Sequence, residues 1–255
     1  MGEQEFHEVQ VCLIIPFYNE KERFSTEYLL ELSTRAPSGF HCYLVDDGSS
    51  DGLSEMLKNF ILENGLLNVS LVRSQLNLGK ANAIRFGFEQ IEIERYNFVG
   101  FTDADFAAKP QEILRLIPFL IQGRMQMLLG ARTKLESNRI STPTFRYLQG
   151  LSFNFIIEKL FQRKFLDLQC GLKFFHNNDQ LRSALVEPFM NEWLFDLELI
   201  LRINESGDLC IQEEVLENWT HVGGSKVAPH DVFGIAMGLL KLRFKYGNFN
   251  NRNVI

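Results

Sequence analysis

Two acidic residues, Asp103 and Asp105, are the strongest candidates for chemistry in this chain of 255 residues. They follow an apolar run and are separated by the small residue Ala104. Residues two positions apart on an extended segment point to the same side, so both carboxylates can reach one cation. Carboxylate oxygens suit Mg²⁺ or Mn²⁺, ions that often join a few protein carboxylates to substrate phosphates. The alternative is a solvated acidic turn, and the position directly after a predicted strand favours the metal site.

Three further polar clusters each follow an apolar run that predicts a β-strand: PFYNE at 16–20, DDGSSDG at 46–52 and NLGK at 77–80. Asp46 and Asp47 are adjacent, so on an extended chain they point apart and should have different roles. One could accept hydrogen bonds from a nucleobase or a ribose, and the other could cap the turn. Lys80 begins a predicted helix, and a helix N-terminus with a lysine suits a phosphate.

Several classes of protein are excluded by what the sequence lacks. It contains neither the spacing of a P-loop nor a G-x-G-x-x-G after the first predicted strand, and no motif of a catalytic nucleophile. The four cysteines form no C-x-x-C pair, so we expect reduced thiols. With 26 basic and 32 acidic residues the net charge is −6, which disfavours nucleic acid as a partner because phosphate neutralisation needs clustered positive charge.

The elements that must position these clusters alternate between strands and helices in the first half. Strands are predicted at 11–15, 41–45, 69–73, 98–101 and 125–129, and Pro16 should end the first of them. Helices are predicted between these strands, at 26–35, 53–64 and 80–91, and before the last of them, at 110–122. The second half predicts helices at 144–165, 196–204 and 232–246, a strand at 171–175 and an extended segment at 209–219. This order predicts an α/β fold with a doubly wound, mostly parallel sheet and helices on both faces.

The polar clusters all follow strands, and ligands bind outside the carboxyl ends of the strands in such sheets. We therefore expect the four clusters to meet at one edge of the sheet. No linker divides the chain, so residues 1–255 are predicted to form a single domain, with a nucleotide half at about 1–130 and an acceptor half at about 131–255.

Taken in order, these motifs resemble the family 2 glycosyltransferases of the GT-A fold. The resemblance lies in VCLIIPFYNE at 11–20, DDGSSDG, NLGK and Asp103–Asp105. In the second half, DLQCGLK at 167–173, FDLE at 195–198, Trp219 and GSK at 224–226 are similar to dolichyl-phosphate glucosyl- and mannosyltransferases. The resemblance implies transfer of a sugar from a UDP- or GDP-sugar to a polyprenyl or dolichyl phosphate, with inversion and with Mg²⁺ or Mn²⁺.

The resemblance also implies roles for individual residues. The nucleoside would be held by Pro16, Tyr18, Glu20, Val45 and Asp47, and the metal and diphosphate by Asp103, Ala104 and Asp105. Arg132 and Arg146 would lie near the diphosphate or the acceptor phosphate, and Ser225 and Lys226 would close over the phosphates.

The need for a general base depends on the acceptor. A lipid phosphate is already ionised and needs none, whereas a glycan hydroxyl must lose a proton. Asp196 and Glu198 are the candidates, and since positions i and i+2 do not share a helix face, only one should reach the site. We favour Asp196, whose alternative role is to stabilise the start of its helix. Transfer to a glycan hydroxyl stays open, as does a non-catalytic nucleotide-sugar sensor, which the intact Asp103 and Asp105 disfavour.

Two stretches, 145–165 and 232–246, combine apolar and basic residues, which suits a membrane surface. Core packing with a basic edge is the alternative. No apolar run approaches the ~18 residues that a span requires, and the acidic, polar N-terminus is not typical of a signal peptide. We therefore expect a cytoplasmic protein, peripheral at the inner face of the membrane.

Overall fold

The computed structural model of the chain describes residues 9–123, 125–133, 139–141, 144–206, 209–222 and 231–247. The strands are β1 Val11–Phe17, β2 Phe40–Asp46, β3 Val69–Arg73, β4 Phe98–Phe101, β5 Met127–Ala131, β6 Arg139–Ser141, β7 Lys173–His176, β8 Ile211–Val215 and β9 Asn218–Thr220. The helices are α1 Thr26–Arg35, α2 Leu53–Glu63, α3 Lys80–Gln90, α4 Pro110–Gln122, α5 Thr144–Phe161, α6 Asp179–Val186, α7 Phe195–Ile203 and α8 Asp231–Tyr246.

Seven of the strands form one sheet in the order β3-β2-β1-β4-β7-β5-β8. Every neighbouring pair is parallel except those of β7, which runs antiparallel to both β4 and β5. Strands from both halves of the chain therefore share this sheet. The close approach of β7 depends on Gly100 of β4, because a Cβ there would lie 2.5 Å from the carbonyl oxygen of Lys173. The strands β6 and β9 pair separately, in parallel.

Helices cover both faces of the sheet, as the sequence predicts. Alternate residues of β1 belong to two different hydrophobic clusters, because successive side chains on a strand point to opposite faces. Leu13 and Ile15 pack with residues of α1, α2 and α4. Ile14 lies on the other face, with residues of α3, α5 and α7. The predicted fold class is therefore confirmed.

The prediction that Pro16 ends the first strand is wrong, since β1 continues to Phe17. Pro16 pairs with Val45 of β2. An N–H at position 16 would point toward β4, on the same side as the carbonyl of Ile14. That carbonyl accepts a hydrogen bond from the N–H of Thr102, the residue after β4. Because β4 itself ends opposite Ile14, no neighbouring strand needs an N–H from Pro16.

Other predicted boundaries also differ from the structure. The helix predicted at 144–165 ends at Phe161, and Gln162 has a φ of 58° that stops it. The predicted strand at 125–129 is shifted to Met127–Ala131, and the extended segment at 209–219 divides into β8 and β9. Helix α6 was not predicted, although Asn178 caps it by accepting a hydrogen bond from the N–H of Leu181. Among the described helices, none is long and apolar enough to cross a bilayer.

Candidate active site

The loops that follow the first two strands are tied together at the carboxyl end of the sheet. The N–H of Asn19 donates to Ser49 Oγ at 3.0 Å, and Asn19 Oδ1 accepts from the N–H of Ser50 at 2.9 Å. The N–H of Asp47 donates to the carbonyl of Phe17, at the end of β1. Two of the four polar clusters, PFYNE and DDGSSDG, therefore lie in contact with each other, as predicted.

Asp46 and Asp47 have different partners, as predicted for adjacent carboxylates. Asp46 is fully buried, and its Oδ1 accepts a hydrogen bond from the N–H of Ser49 at 2.8 Å, so Asp46 caps the turn. Asp47 instead accepts from the N–H groups of Leu78 and Gly79, at 2.7 and 2.9 Å. Burial raises the pKa of Asp47, although these two N–H groups oppose the shift. Asp47 therefore joins the DDGSSDG turn to the start of α3.

The backbone at the start of α3 has a second carboxylate partner. The N–H of Lys80 donates to Glu192 Oε1 at 2.9 Å, from the loop that precedes α7. The N–H groups of residues 78–80 are therefore all occupied by Asp47 and Glu192. These three N–H groups are therefore not open to a phosphate, and the prediction of a phosphate contact here rests on the side chain of Lys80.

The side chain of Lys80 lies on the Asp-x-Asp motif. Its Nζ is 2.5 Å from Asp103 Oδ1. Desolvation alone would raise the pKa of Asp103, but the ammonium of Lys80 holds it below its ordinary value. The pKa of Asp105 is raised by desolvation and by the charge of Asp103. The two carboxylates of the motif are thus electrostatically coupled, and a cation already lies beside one of them.

The backbone after Asp105 has a conformation that sequence reasoning did not foresee. Asp105 Oδ1 accepts a hydrogen bond from the N–H of Ala107 at 3.0 Å, which closes a tight turn. Phe106 within this turn has a φ of 49°, although bulky residues rarely adopt positive φ. Its ring is fully buried and packs edge-on against Phe24, with ring centres 5.4 Å apart. This packing holds the strained turn that fixes Asp105.

The residues predicted to hold a nucleoside differ in accessibility. Tyr18 is 37% exposed, so its ring is available to a ligand. Val45 is fully buried against α3, where a Cβ on Gly87 would lie 2.9 Å from it, so only its main chain could touch a nucleoside. Pro16 is also buried, within β1.

Glu20, another predicted nucleoside residue, forms an ion pair within its own loop. It accepts two hydrogen bonds from Arg23, at 2.5 and 2.6 Å. The pKa of Arg23 is raised first by its hydrogen bond to Glu20 and also by the charges of Asp105 and Asp103. Arg23 therefore brings positive charge toward the Asp-x-Asp motif. Arg23 was not predicted as a site residue, because the sequence points to it only through its i, i+3 spacing from Glu20.

Arg132, predicted near the phosphates, follows β5 and is held rigidly by Asp167. The guanidinium donates to both carboxylate oxygens, with Nε–Oδ2 at 2.5 Å and Nη2–Oδ1 at 2.9 Å. It also lies 5.2 Å from the ring centre of Trp219. The charge of Arg132 lowers the pKa of Asp103, so the two residues belong to one electrostatic site. Asp167 itself was not predicted as a site residue.

Asp196 and Glu198 point to different surroundings, as their spacing predicts. Glu198 is buried, pairs with Arg202 at 2.6 Å and accepts a hydrogen bond from the N–H of Met190, so its role is structural. Asp196 lies in the first turn of α7, and its Oδ1 is 2.8 Å from the Nζ of Lys173. Lys173, the last residue of the DLQCGLK segment, is fully buried and was not assigned a role from the sequence.

The DLQCGLK segment packs directly on the Asp-x-Asp motif. A Cβ on Gly171 would overlap the carboxylate of Asp103, so only glycine fits there. Three other residues were predicted to lie near the phosphates. Arg146 lies on α5, outside the residues whose side chains are described, and Ser225 and Lys226 lie outside the described residues.

The sheet order and the carboxylates that follow its strands are those of a GT-A glycosyltransferase. Residues 12–180 match the family described as Glycosyl transferase family 2. The chain is 30% identical to dolichyl-phosphate beta-glucosyltransferase of Homo sapiens over 252 residues, which cover 93% of this chain and 76% of the relative. The chain therefore belongs to glycosyl transferase family 2, and the family resemblance found from its motifs is confirmed.

Two solved structures share the fold at low sequence identity. Glucosyl-3-phosphoglycerate synthase from Mycobacterium tuberculosis, in complex with Mn²⁺, UDP and glucosyl-3-phosphoglycerate, has a TM-score of 0.59 and 17% identity. The alignment covers 94% of this chain and 81% of that one. A mannosyltransferase from Pyrobaculum calidifontis, in complex with GDP-Man and Mn²⁺, has a TM-score of 0.62 and 16% identity, covering 94% of this chain and 64% of that one.

Proposed function

We propose that this protein transfers a sugar from a UDP- or GDP-sugar to a polyprenyl phosphate such as dolichyl phosphate. The observation that carries the proposal is the set of three cations, Lys80, Arg132 and Lys173, whose charges all act on Asp103 at the carboxyl end of the sheet. Fixed positive charges stabilise negative charge that develops on a leaving diphosphate. The name of the human relative supports a lipid phosphate as the acceptor and glucose as the first sugar to test.

We infer that Asp103 and Asp105 would hold Mg²⁺ or Mn²⁺. Two carboxylates are hard oxygen ligands, which suit these ions. The ammonium of Lys80 already pairs with Asp103, which supports a preference for positive charge beside this carboxylate. Among the described residues, no group of three His, Cys, Asp or Glu could hold a metal, so diphosphate and water would complete the shell. When bound, the ion would offset the charge of the departing diphosphate. Mn²⁺ in both structural neighbours supports this inference.

The protein's own residues then have separate tasks. Tyr18 and Asp47 border the predicted nucleoside position, and Lys80 and Arg132 face the phosphates. An oxygen of the ionised acceptor phosphate would bond to the anomeric carbon while the bond from that carbon to the nucleoside diphosphate breaks on the opposite side. The nucleoside diphosphate leaves, the configuration inverts, and no proton transfer is required. Transfer to a glycan hydroxyl would need a base.

We further propose that α5 and α8 contact a membrane surface that contains anionic lipid. On α8, Phe233, Met237, Leu240 and Phe244 are 41–87% exposed and follow the spacing of one helix face. On α5, exposed Leu148, Leu151, Phe155 and Ile156 form a similar face. Lys159, Lys241 and Lys245 are exposed on the same helices. Apolar and basic side chains together favour the interface of an anionic bilayer.

The function is tested by incubating the purified protein with radiolabelled UDP-glucose or GDP-mannose, Mn²⁺ and dolichyl phosphate in detergent. We expect a lipid-linked sugar whose formation depends on both the lipid phosphate and the metal. Dolichol, which lacks the phosphate, is the matched acceptor control. Transfer to a glycan hydroxyl with no dependence on lipid phosphate would contradict the proposal.

A further inference from the structure

Lys173 is a fully buried cation that the proposed mechanism does not use as a ligand for substrate. Lysine is almost never fully buried unless it is paired. Here its Nζ lies 2.8 Å from Asp196 Oδ1 and donates a hydrogen bond to the carbonyl of Cys170. The ammonium also lies 5.7 Å from the ring centre of Phe101. The Lys173–Asp196 ion pair therefore joins β7 to α7 in the interior of the site.

Asp196 faces positive charge from two elements. Lys173 approaches from β7, and the charge of Lys80, on α3, also interacts with Asp196. Lys80 in turn pairs with Asp103. The four groups thus alternate in sign, with Asp196 between two lysines and Lys80 between two aspartates. Their formal charges sum to zero.

This arrangement bears on whether Asp196 can act as a base. A general base accepts a proton during the reaction, and a protonated Asp196 would leave the buried ammonium of Lys173 without its counter-ion. An unpaired charge in a buried position is strongly unfavourable. The pair therefore opposes the proton transfer that a hydroxyl acceptor requires.

We propose that Lys173 is a positioning residue that holds Asp196 as an ion-paired carboxylate, so that the pair fixes the charges around Asp103 and removes no proton from the acceptor. The inference rests on the proposed function, since only an acceptor that arrives ionised can react at a site without a base.

The test compares wild type with Lys173→Gln, Asp196→Asn and the double variant K173Q/D196N. Lys173→Gln removes the buried ion-pair partner of Asp196, and we expect its Tm to fall by about 10 °C, from the typical cost of breaking a buried pair. The double variant carries no unpaired charge, because both substituted side chains are neutral amides that can hydrogen-bond to each other. We expect it to recover most of the Tm and to transfer sugar to dolichyl phosphate within about tenfold of the wild-type rate.

A general base at position 196 would give a different result. Every variant that carries D196N would then lose ~10²–10⁴-fold in kcat, whatever its Tm. The dependence of kcat on pH provides a second readout that a purely structural role would not change. We expect wild type, Asp196→Asn and the double variant to share one acid limb near pH ~6, which belongs to the acceptor phosphate. An acid limb that disappears in both variants that carry D196N would overturn the proposal.

The control is a second buried ion pair on the same helix, Glu198–Arg202, which lies outside the site. Glu198→Gln should lower the Tm but leave kcat unchanged at a temperature where the variant is folded. If wild type transfers no sugar to any lipid phosphate, the proposed function fails. If wild type is active and the folded double variant is inactive, the proposed function stands and the role of Lys173 is refuted.

Discussion

Gly171 and Asp103 lie so close together that a methyl group on the glycine would overlap the Oδ2 atom of Asp103. The contact joins the DLQCGLK segment to the Asp-x-Asp motif, two parts of the chain that are 68 positions apart (171 minus 103). The position of the first carboxylate therefore depends on a residue that carries no side chain.

Gly171→Ala should displace Asp103 and lower kcat/KM for sugar transfer by about 10²-fold, the typical effect of a shift of about 1 Å at a catalytic group. Steady-state kinetics with the nucleotide-sugar donor measure the loss. Gly150→Ala on α5 is the matched control, because a Cβ there meets nothing within 4 Å. Equal kinetics for both variants would contradict the packing argument.

Asp105→Ala should abolish transfer and most metal-dependent donor binding. The substitution removes one of the two metal ligands and leaves the diphosphate charge uncompensated, a loss on the order of several kcal/mol of transition-state stabilisation. Calorimetric titration with nucleotide and Mn²⁺ measures the binding. Asp179→Ala, at an exposed carboxylate on α6, should leave binding unchanged. Unchanged metal-dependent affinity in Asp105→Ala would refute the metal assignment.

Lys80→Met should increase the affinity for Mn²⁺ alone and decrease the affinity for the nucleotide. The ammonium lies 2.5 Å from Asp103 Oδ1 and competes with the metal for that carboxylate. Removing one charge at this distance should change the Mn²⁺ dissociation constant by about tenfold or more. Electron paramagnetic resonance of free Mn²⁺, recorded without nucleotide, measures the change. A weaker Mn²⁺ affinity in the variant would show that Lys80 supports the metal and does not compete with it.

Phe244→Ser combined with Phe155→Ser should weaken binding to vesicles of anionic lipid by about tenfold or more, because two exposed rings are lost from the faces of α8 and α5. Sedimentation with the vesicles measures the bound fraction. Leu67→Ser is the control, since Leu67 is 95% exposed in the loop between α2 and β3. Similar losses for the control would show that binding is not confined to the two helices.

The stability of the fold should fall on acidification through the titration of His41. Burial and the charge of Arg95 lower the pKa of His41 in the folded state. His41 therefore binds a proton more readily in the unfolded chain than in the folded protein. The free energy of unfolding then decreases as the pH falls from above about 6.5, the ordinary pKa of histidine, toward the lowered pKa of His41. We expect a lower Tm at about pH 5.5 than at about pH 7.5, and a smaller difference in His41→Gln. An equal difference in both proteins would exclude His41 as the cause.

The parts of the site that depend on local sequence were predictable. Asp103 and Asp105 were predicted as a site from their i, i+2 spacing after a strand, and in the structure the charge of Asp103 raises the pKa of Asp105. The different roles of Asp46 and Asp47 followed from the same argument. The first four helices were also correct to within one residue, because each has an apolar face with a clear period.

The parts that depend on distant residues were not predictable. Lys173 gains its role from Asp196, which lies on another element, and nothing in the sequence around Lys173 shows that it is buried. Glu192 occupies the start of α3 from 112 positions away. The direction of β7 was equally hidden, because a strand of only four residues has the same sequence pattern whether its neighbours are parallel or antiparallel.

The place of β7 in the sheet also constrains how the chain can fold. β4 and β5 do not pair with each other, and both pair with β7, which ends at His176. A ribosome that has released the chain only as far as the end of β5 has therefore produced two strands with open edges and nothing to join them. Open strand edges promote aggregation, and contacts between distant parts of a chain slow folding. The nascent protein is thus most exposed to misassembly until His176 has left the ribosome.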